Sequence, residues 1–458
     1  MTLVATLIGD QEGLEFKWDF GDGTYDTEHL EISHTYTTDG SFTPTFWATN
    51  AAEEEQTVTL DAPVISVPET CYVSLAGGHR PPFANWQDAS TNVQNAVDLG
   101  PKKVLVAAGS YDLTGDAVVI PTDTVLESVE GREKTFLVGH SRAPWSTKRL
   151  VWLKHEEAVV RGFTFRGGYG DDTGATAVGV VSAGVVEDCF VTDNDINSSR
   201  SPIFRLTGTG RLHNVAINVG NPYNSANESG GQGFWNVTAT GNAVIDGLVM
   251  TNFYRSYSYG GANTDISHLT LSGNAVARNV LLKDLRWGPG CRSDYAINRS
   301  TVLISENATL ENATIVGCEA FGRSSGKTAA TGGVLLIGSG GTPTVRNVLL
   351  QDNISTLEGG VEDVYDLGSP SSPRITYSRS AELTSGEGNV TAVVPFRRKG
   401  SWPCCPRSTA CVINAGYTSE WTRVTGATDI RGNPRILNGI PDIGCYETPL
   451  QGLMLLVR

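Results

Sequence analysis

The sequence predicts an all-β chain, a small β-sandwich followed by a parallel β-helix, and three observations carry the β-helix. A six-residue pattern of apolar, polar, turn, apolar, variable and apolar residues recurs from Val160, Val186, Leu212, Ile245, Ala277, Leu310 and Val345. Its clearest copy is Val345-Arg346-Asn347-Val348-Leu349-Leu350, and the copies lie 26 to 35 residues apart, a spacing that belongs to solenoids, propellers or arrays. The third position reads Gly162, Asp188, Asn214, Gly247, Asn279, Asn312 and Asn347. These types tolerate a left-handed backbone, so the same sharp turn is expected in every copy. A second punctuation point, such as Gly184, Gly210, Asn242, Asn274 and Asn307, precedes each turn by a nearly constant interval, while the remainder of the repeat varies in length. Each repeat therefore reads as three short strands, two tight turns and one loop of free length. That is one coil of a parallel β-helix, whose inward side chains are buried only by stacking on neighbouring coils. Propeller blades need four longer antiparallel strands.

Taken in order, residues 1–62 form a separate unit. Phe16-Lys17-Trp18-Asp19-Phe20 alternates, Gly21-Asp22-Gly23 makes a turn, and His34-Thr35-Tyr36 and Phe42 to Ala48 follow at hairpin spacing. Through Trp18-Asp19-Phe20-Gly21-Asp22-Gly23, His34-Thr35-Tyr36 and the Gly40 turn, the segment resembles the polycystic-kidney-disease (PKD) domain, an immunoglobulin-like β-sandwich. The resemblance implies an extracellular spacer or weak binding module, with Asp19 and Asp22 as turn residues.

Residues 63–69 read as a linker, 70–448 as the β-helix and 449–458 as a C-terminal tail. Cys71-Tyr72-Val73-Ser74 is a strand, after which Trp86, Ala89, Val93, Ala96 and Val97 fall at helical offsets. A lone amphipathic helix here is expected to cap the first coil, Lys103 to Tyr111. Tyr72-Val73-Ser74, Trp86, Val104-Leu105-Val106 with Gly109 and Tyr111, and Leu126-Glu127-Ser128 with Gly131 resemble right-handed parallel β-helix domains of pectin-lyase-like fold. Such domains occur in secreted or surface proteins of bacteria. The resemblance resumes at Ile375-Thr376-Tyr377-Ser378, Gly386 to Thr391, Ile413-Asn414-Ala415-Gly416, Asp429-Ile430-Arg431-Gly432-Asn433-Pro434-Arg435 and Asp442 to Glu447. It implies a fold, not a reaction. Residues 392–411, with Pro395 to Gly400 and Cys404-Cys405, depart from the pattern.

A net charge of −15 disfavours nucleic acid and anionic membranes as partners. The 8 cysteines show no metal-ligand spacing. Cys189 sits at an inward position and reads as a buried free thiol, whereas Cys411 and Cys445 could bridge Cys404 or Cys405. No stretch reaches the ~18 apolar residues of a membrane helix. The start alternates like a strand and lacks a signal peptide, so the chain is expected to begin inside a longer, exported precursor and to be extracellular or surface-displayed, without membrane insertion of its own and as a monomer.

Function is expected on the loops between repeats, which stacking brings above one another. One runs from Asn252 through Tyr254, Arg255 and Tyr257 to Tyr259, and a second from Lys283 through Trp287 to Arg292, Asp294 and Tyr295. Aromatic faces flanked by Arg, Asp and Asn suit a sugar, so Tyr254, Arg255, Tyr257, Tyr259, Trp287, Arg292 and Tyr295 are the candidate contacts to a polysaccharide or cell-surface glycan. The alternative is plain packing of these rings on neighbouring coils. In the enzymes of this fold that cleave uronate glycans by β-elimination, a basic residue removes a proton and a cation stabilises the anion. Arg255, Lys283, Arg292 and Asp294 could serve, but no lyase motif is present. A third loop carries Asp193 and Asp195, near Asp171 and Asp172. These read as turn residues, or as oxygen ligands to Ca²⁺ as the one possible cofactor. Asp193 and Asp195 would also be the acids of a glycoside hydrolase. His34, His79, His140, His155, His213 and His268 show no nucleophile–base spacing, and His213 reads as merely exposed. Eight Asn-x-Ser/Thr sequons follow from the Asn corners of the fold and carry no inference.

Overall fold

Alternating apolar residues between Gly and Asn corners dictate strands throughout, and a computed structural model bears this out. It describes residues 1–61, 63–113, 117–139, 149–170, 176–196, 202–218, 236–257, 266–290, 298–322, 333–355, 363–369, 371–397 and 402–449. The side chains at 169–170, 195–196, 253–257, 266, 287–290, 298–299 and 321–322 are not described. The chain divides into two compact units, residues 1–109 with 124–129, and residues 110–123 with 130–458.

The first unit opens with the β-sandwich. Strands Glu15–Asp19, Tyr25–Asp26, Thr45–Thr49 and Glu55–Thr59 form an antiparallel sheet, Thr2–Val4 pairs with Glu31–Ser33, and Gly40–Phe42 pairs with Val64–Ser66. Leu3, Trp18, Phe20, Phe46 and Ala48 fill the core. The expected turn roles of Asp19 and Asp22 hold: Gly21 N donates to Asp19 Oδ1, and Thr24 N and Oγ1 donate to Asp22 Oδ1. Those bonds, with the Thr24 hydroxyl foremost and His34 Nε2 at 2.8 Å from Oδ2, lower Asp22 to about 2. Beyond the sandwich, Thr70–Val73, Lys103–Val106 and Val125–Ser128 stack in parallel, so that Cys71, Val104 and Leu126 form one buried row. The predicted amphipathic helix is shorter than expected. Only Val93–Val97 is helical, Ala89 is buried outside it, and Trp86 is exposed with its ring edge-on to Tyr72. Asn92 starts the helix by accepting from Asn95 N.

In the second unit the repeat positions fall where the pattern puts them. The coils pair in parallel and in register, from Val160↔Val186 through Leu212, Ile245, Ala277 and Leu310 to Val345. First, fourth and sixth positions are buried in every copy, Cys189 among them as a free thiol whose burial pushes it up to about 12. All seven turn residues, from Gly162 to Asn347, have positive φ. A second parallel sheet, Val151–Leu153, Gly179–Val181, Phe204–Leu206, Val237–Ala239, Ile266–Leu271, Asn298–Ile304, Leu335–Ile337 and Val364–Asp366, faces the first across the core. Gly179 is required there because a Cβ would lie 2.9 Å from the Phe204 ring. Crossovers between parallel strands are right-handed, and the coils form a right-handed parallel β-helix.

Three features were not legible in the pattern. A third left-handed column runs five residues after the first, through Gly167, Asp193, Asn252, Asp284, Gly317 and Asp352. The outward second positions form an in-register column of charges. The outward fifth position, read as variable, is Val249, Leu281, Thr314 and Leu349 in the later coils, and together with Val316, two residues beyond Thr314, it is covered by the C-terminal segment. Val316 and Leu349 pack with Val394, Ala410, Val412 and Ile443, and Leu281 packs with Cys405, Ile430, Cys445 and Tyr446. Asn347 Nδ2 donates to Tyr417 O and accepts from Tyr417 N through Oδ1, and Asn279 Nδ2 donates to Thr428 O. Arg346 stacks on the Tyr417 ring at 4.7 Å and Arg278 on Trp421 at 4.4 Å.

The departing segment 392–411 belongs to this strap. Arg397 N donates to Cys405 O and Arg407 N to Pro395 O, closing a hairpin against the last coils, while Val394 N donates to Gln351 Oε1. The bridge that Cys411 or Cys445 could make to Cys404 or Cys405 is not formed. All seven cysteines among the described residues are free. Cys411 is exposed with its thiol on Ala392 O, while Cys445 is buried with its backbone N on Thr314 Oγ1.

Candidate functional site

Among the described residues, first-sheet strands such as Thr309–Val316 and Thr344–Gln351 end at the third turn. Two do not. Val244–Tyr257 and Val276–Gly290 run through the left-handed Asn252 and Asp284 and stay paired beyond them. The two segments read as loops from the sequence are therefore, in their first halves, a parallel ribbon. The reason lies in composition, since Phe253-Tyr254-Arg255-Ser256-Tyr257 and Leu285-Arg286-Trp287 are residues that fit a pleated surface once a partner strand is alongside.

Register fixes what the ribbon brings together. Phe253 lies beside Leu285, Tyr254 beside Arg286 and Arg255 beside Trp287, with a shift before Tyr257↔Gly290. Adjacent rungs are ~4.8 Å apart, so Tyr254 and Trp287 each have a cationic position next to them. Leu285 is buried and anchors the ribbon. Arg286 is exposed, and its Nε donates to Gly317 O at 3.1 Å. Lys283, at the root of the ribbon beside Thr251, pairs with the carboxylate of its neighbour Asp284. Gly317, on the next coil, has no Cβ because one would lie 2.5 Å from Asp284 Oδ1.

The other candidates separate. Tyr259, Arg292, Asp294 and Tyr295 lie outside the described residues, as do Asp171 and Asp172. Tyr254, Arg255, Tyr257, Trp287 and Asp195 have described backbones only. Asp193 is a left-handed turn residue, φ 49°, whose carbonyl accepts from Gly167 N. Asn194 beside it is buried and bonds Gly168 N, Phe165 O and Thr192 O, a structural role. Asp195 sits beside Tyr169 in a short parallel pair.

The most developed polar cluster among the described residues lies in a stretch whose sequence signals only the fold. Asp429 accepts from Arg431 Nε, Asn433 Nδ2 and Glu447 N, and Asp442 accepts from Asn414 N and Thr448 N at 2.7 Å each. Glu447 Oε1 accepts from Asp442 N at 2.8 Å and lies 3.4 Å from Arg435. Arg435, fully buried, donates to Asp442 O and Gly444 O, and Asn312, with its amide oxygen turned inward, accepts from it. Three carboxylates thus face two guanidiniums away from water. Burial pushes Glu447 and Asp442 above the usual carboxylate range, so folding favours a proton on the pair, which offsets the excess negative charge. The cluster binds the C-terminal strap to the coil of Asn312.

The family model of the PKD domain matches residues 2–64. No curated protein matches the chain significantly by sequence. Among solved structures, the pectin methylesterase from carrot is similar at a TM-score of 0.31 and 10% identity, over 64% of this chain and 87% of that one. The pectin methylesterase PemA from Erwinia chrysanthemi is similar at 0.30 and 9%, over 65% and 92%. Residues 2–64 are a PKD domain, and the chain continues into a right-handed parallel β-helix.

Proposed function

We propose that the chain is an extracellular or cell-surface protein that binds carbohydrate, without cleaving it, along the ribbon of Val244–Tyr257 and Val276–Gly290. The observation that carries this reading is the register, which sets Tyr254 beside Arg286 and Arg255 beside Trp287. Sugar rings stack their C–H faces on aromatic side chains, and guanidinium groups donate paired hydrogen bonds to hydroxyl or carboxylate oxygens. A strand pair presents such groups at fixed spacing, with less ordering to be done on binding than a free loop requires. The test is retention on immobilised polysaccharides, neutral and uronate. The native protein is retained by at least one, and Tyr254→Ala with Trp287→Ala is not. Equal retention of both proteins would remove the ribbon from the reading.

A second reading is a polysaccharide lyase, favoured by the cations Arg255, Lys283 and Arg286 on one ribbon. Lys283 is paired with Asp284, so the proton-abstracting base would have to be Arg255 or Arg292. Ultraviolet absorbance of the unsaturated product of β-elimination, measured over uronate glycans with and without Ca²⁺, decides between the two. A signal abolished by Arg292→Ala establishes the lyase, and silence with retained binding leaves the non-catalytic protein.

A further inference from the structure

In a parallel β-helix each side chain stacks on the equivalent one in the next coil, so like charges at an outward position would repel along the whole axis. The second repeat position avoids this. Its rungs, paired in register, are Arg161, Glu187, His213, Asp246, Arg278, Glu311 and Arg346. Positive and negative alternate provided that His213 carries a proton. The permanent pairs are closed, with Arg161 Nε at 2.5 Å from Glu187, Arg278 Nε at 2.9 Å from Asp246 and Arg346 Nε at 2.9 Å from Glu311. His213 Nδ1 lies 3.6 Å from Glu187 Oε2, and its other neighbour in register is Asp246. It is the one titratable rung near neutrality in an otherwise permanent column.

We propose that His213 is a pH-operated rung, whose protonation completes the alternating column and clamps the coil of Arg211–Asn218 to the coils on either side. The charges facing it are Glu187 and Asp188 from the preceding coil and Asp246 from the following one, with Arg211 on its own strand. Asp188 is partly occupied by Asn214 Nδ2 at 2.6 Å. Farther along the column stand Arg161 and Arg278, the latter under Trp421 of the strap. The strap contacts the rungs at Arg278 and Arg346, whereas the His213 side chain is 56% exposed and open to solvent protons.

Its pairing with Glu187, ahead of opposing burial and then of the Asp246 charge, holds His213 above the ordinary imidazole value. Reciprocally, Glu187 is held below the usual carboxylate range, first by His213 and also by Arg161. A raised histidine contributes stability that is complete below its unfolded value and is lost as pH rises through its folded value. A lowered glutamate contributes stability that is lost as pH falls through its folded value. The clamp therefore holds between the lowered Glu187 and the raised His213, and opens on the alkaline side.

Hydrogen–deuterium exchange of the full chain, corrected for intrinsic rates, tests this at about pH 5.5 and about pH 8.5, either side of the ordinary histidine value. In the native protein, protection of Val185–Glu187 and Arg211–Asn218 falls on the alkaline side by about threefold or more. In His213→Gln the fall is absent, and in His213→Lys protection is kept at both values. An equal fall in native and His213→Gln proteins would overturn the proposal. So would an NMR titration placing His213 at or below the ordinary value, a readout that a purely structural role would not move and that needs no variant. Glu187→Gln lowers that titration if the clamp is as described, and leaves it unmoved if not.

Discussion

Asn347 combines two roles at one position. Its φ of 55° serves the turn between the strands of its coil, and its buried amide both donates to and accepts from Tyr417. Alanine loses both, so Asn347→Ala is expected to destabilise by about 2–4 kcal/mol, from the left-handed backbone and the unmade bonds together. Asn347→Gly keeps the turn and loses only the amide, and should cost roughly half as much. Denaturant midpoints of the two variants separate the contributions, and equal costs would show that the turn needs no special residue. The turn role was legible, because Gly, Asp and Asn recur at one register. The amide role was not, because Tyr417 lies 70 residues further along the chain.

At the scale of the element, the C-terminal strap is the part that the repeat pattern hides. Its apolar footprint includes Leu281 and Leu349 at the fifth repeat position, and no periodicity distinguishes an outward apolar residue that will be covered from one left in solvent. Leu281 is fully buried under Cys405, Ile430 and Tyr446, so Leu281→Ala is expected to cost about 2–5 kcal/mol, as for a core leucine. A loss under ~0.5 kcal/mol, the level of an ordinary surface change, would contradict the strap's docking. The Asp429, Asp442 and Glu447 cluster adds a pH dependence. Glu447 is raised to about 8 by burial, so folding favours its protonated form. The contribution is complete below the ordinary glutamate value and is lost as pH rises towards about 8. Thermal midpoints should therefore fall between neutral and mildly alkaline pH in the native protein and fall less in Glu447→Gln. Parallel curves would place the retained proton elsewhere. The long ribbon was missed for a related reason. Aromatic and basic residues beyond a turn read as loop until a second strand of matching length is known to lie beside them.

Across the whole molecule, the solenoid was legible because stacking imposes one period on seven copies, and the sandwich because a short motif fixes its turns. A scaffold of this kind displays whatever its extended strands carry. On this chain the extension is confined, among the described residues, to two adjacent coils whose register sets Tyr254 beside Arg286 and Arg255 beside Trp287. The central claim is that those coils bind carbohydrate. It is tested most directly by titrating the glycan retained most strongly against the native protein and against Trp287→Ala, with hydrogen exchange confirming that both are folded. A loss of at least about tenfold in affinity, ~1.4 kcal/mol, is expected for removal of one stacking ring. Unchanged affinity in a folded Trp287→Ala protein, or no binding of any glycan by the native one, would contradict it.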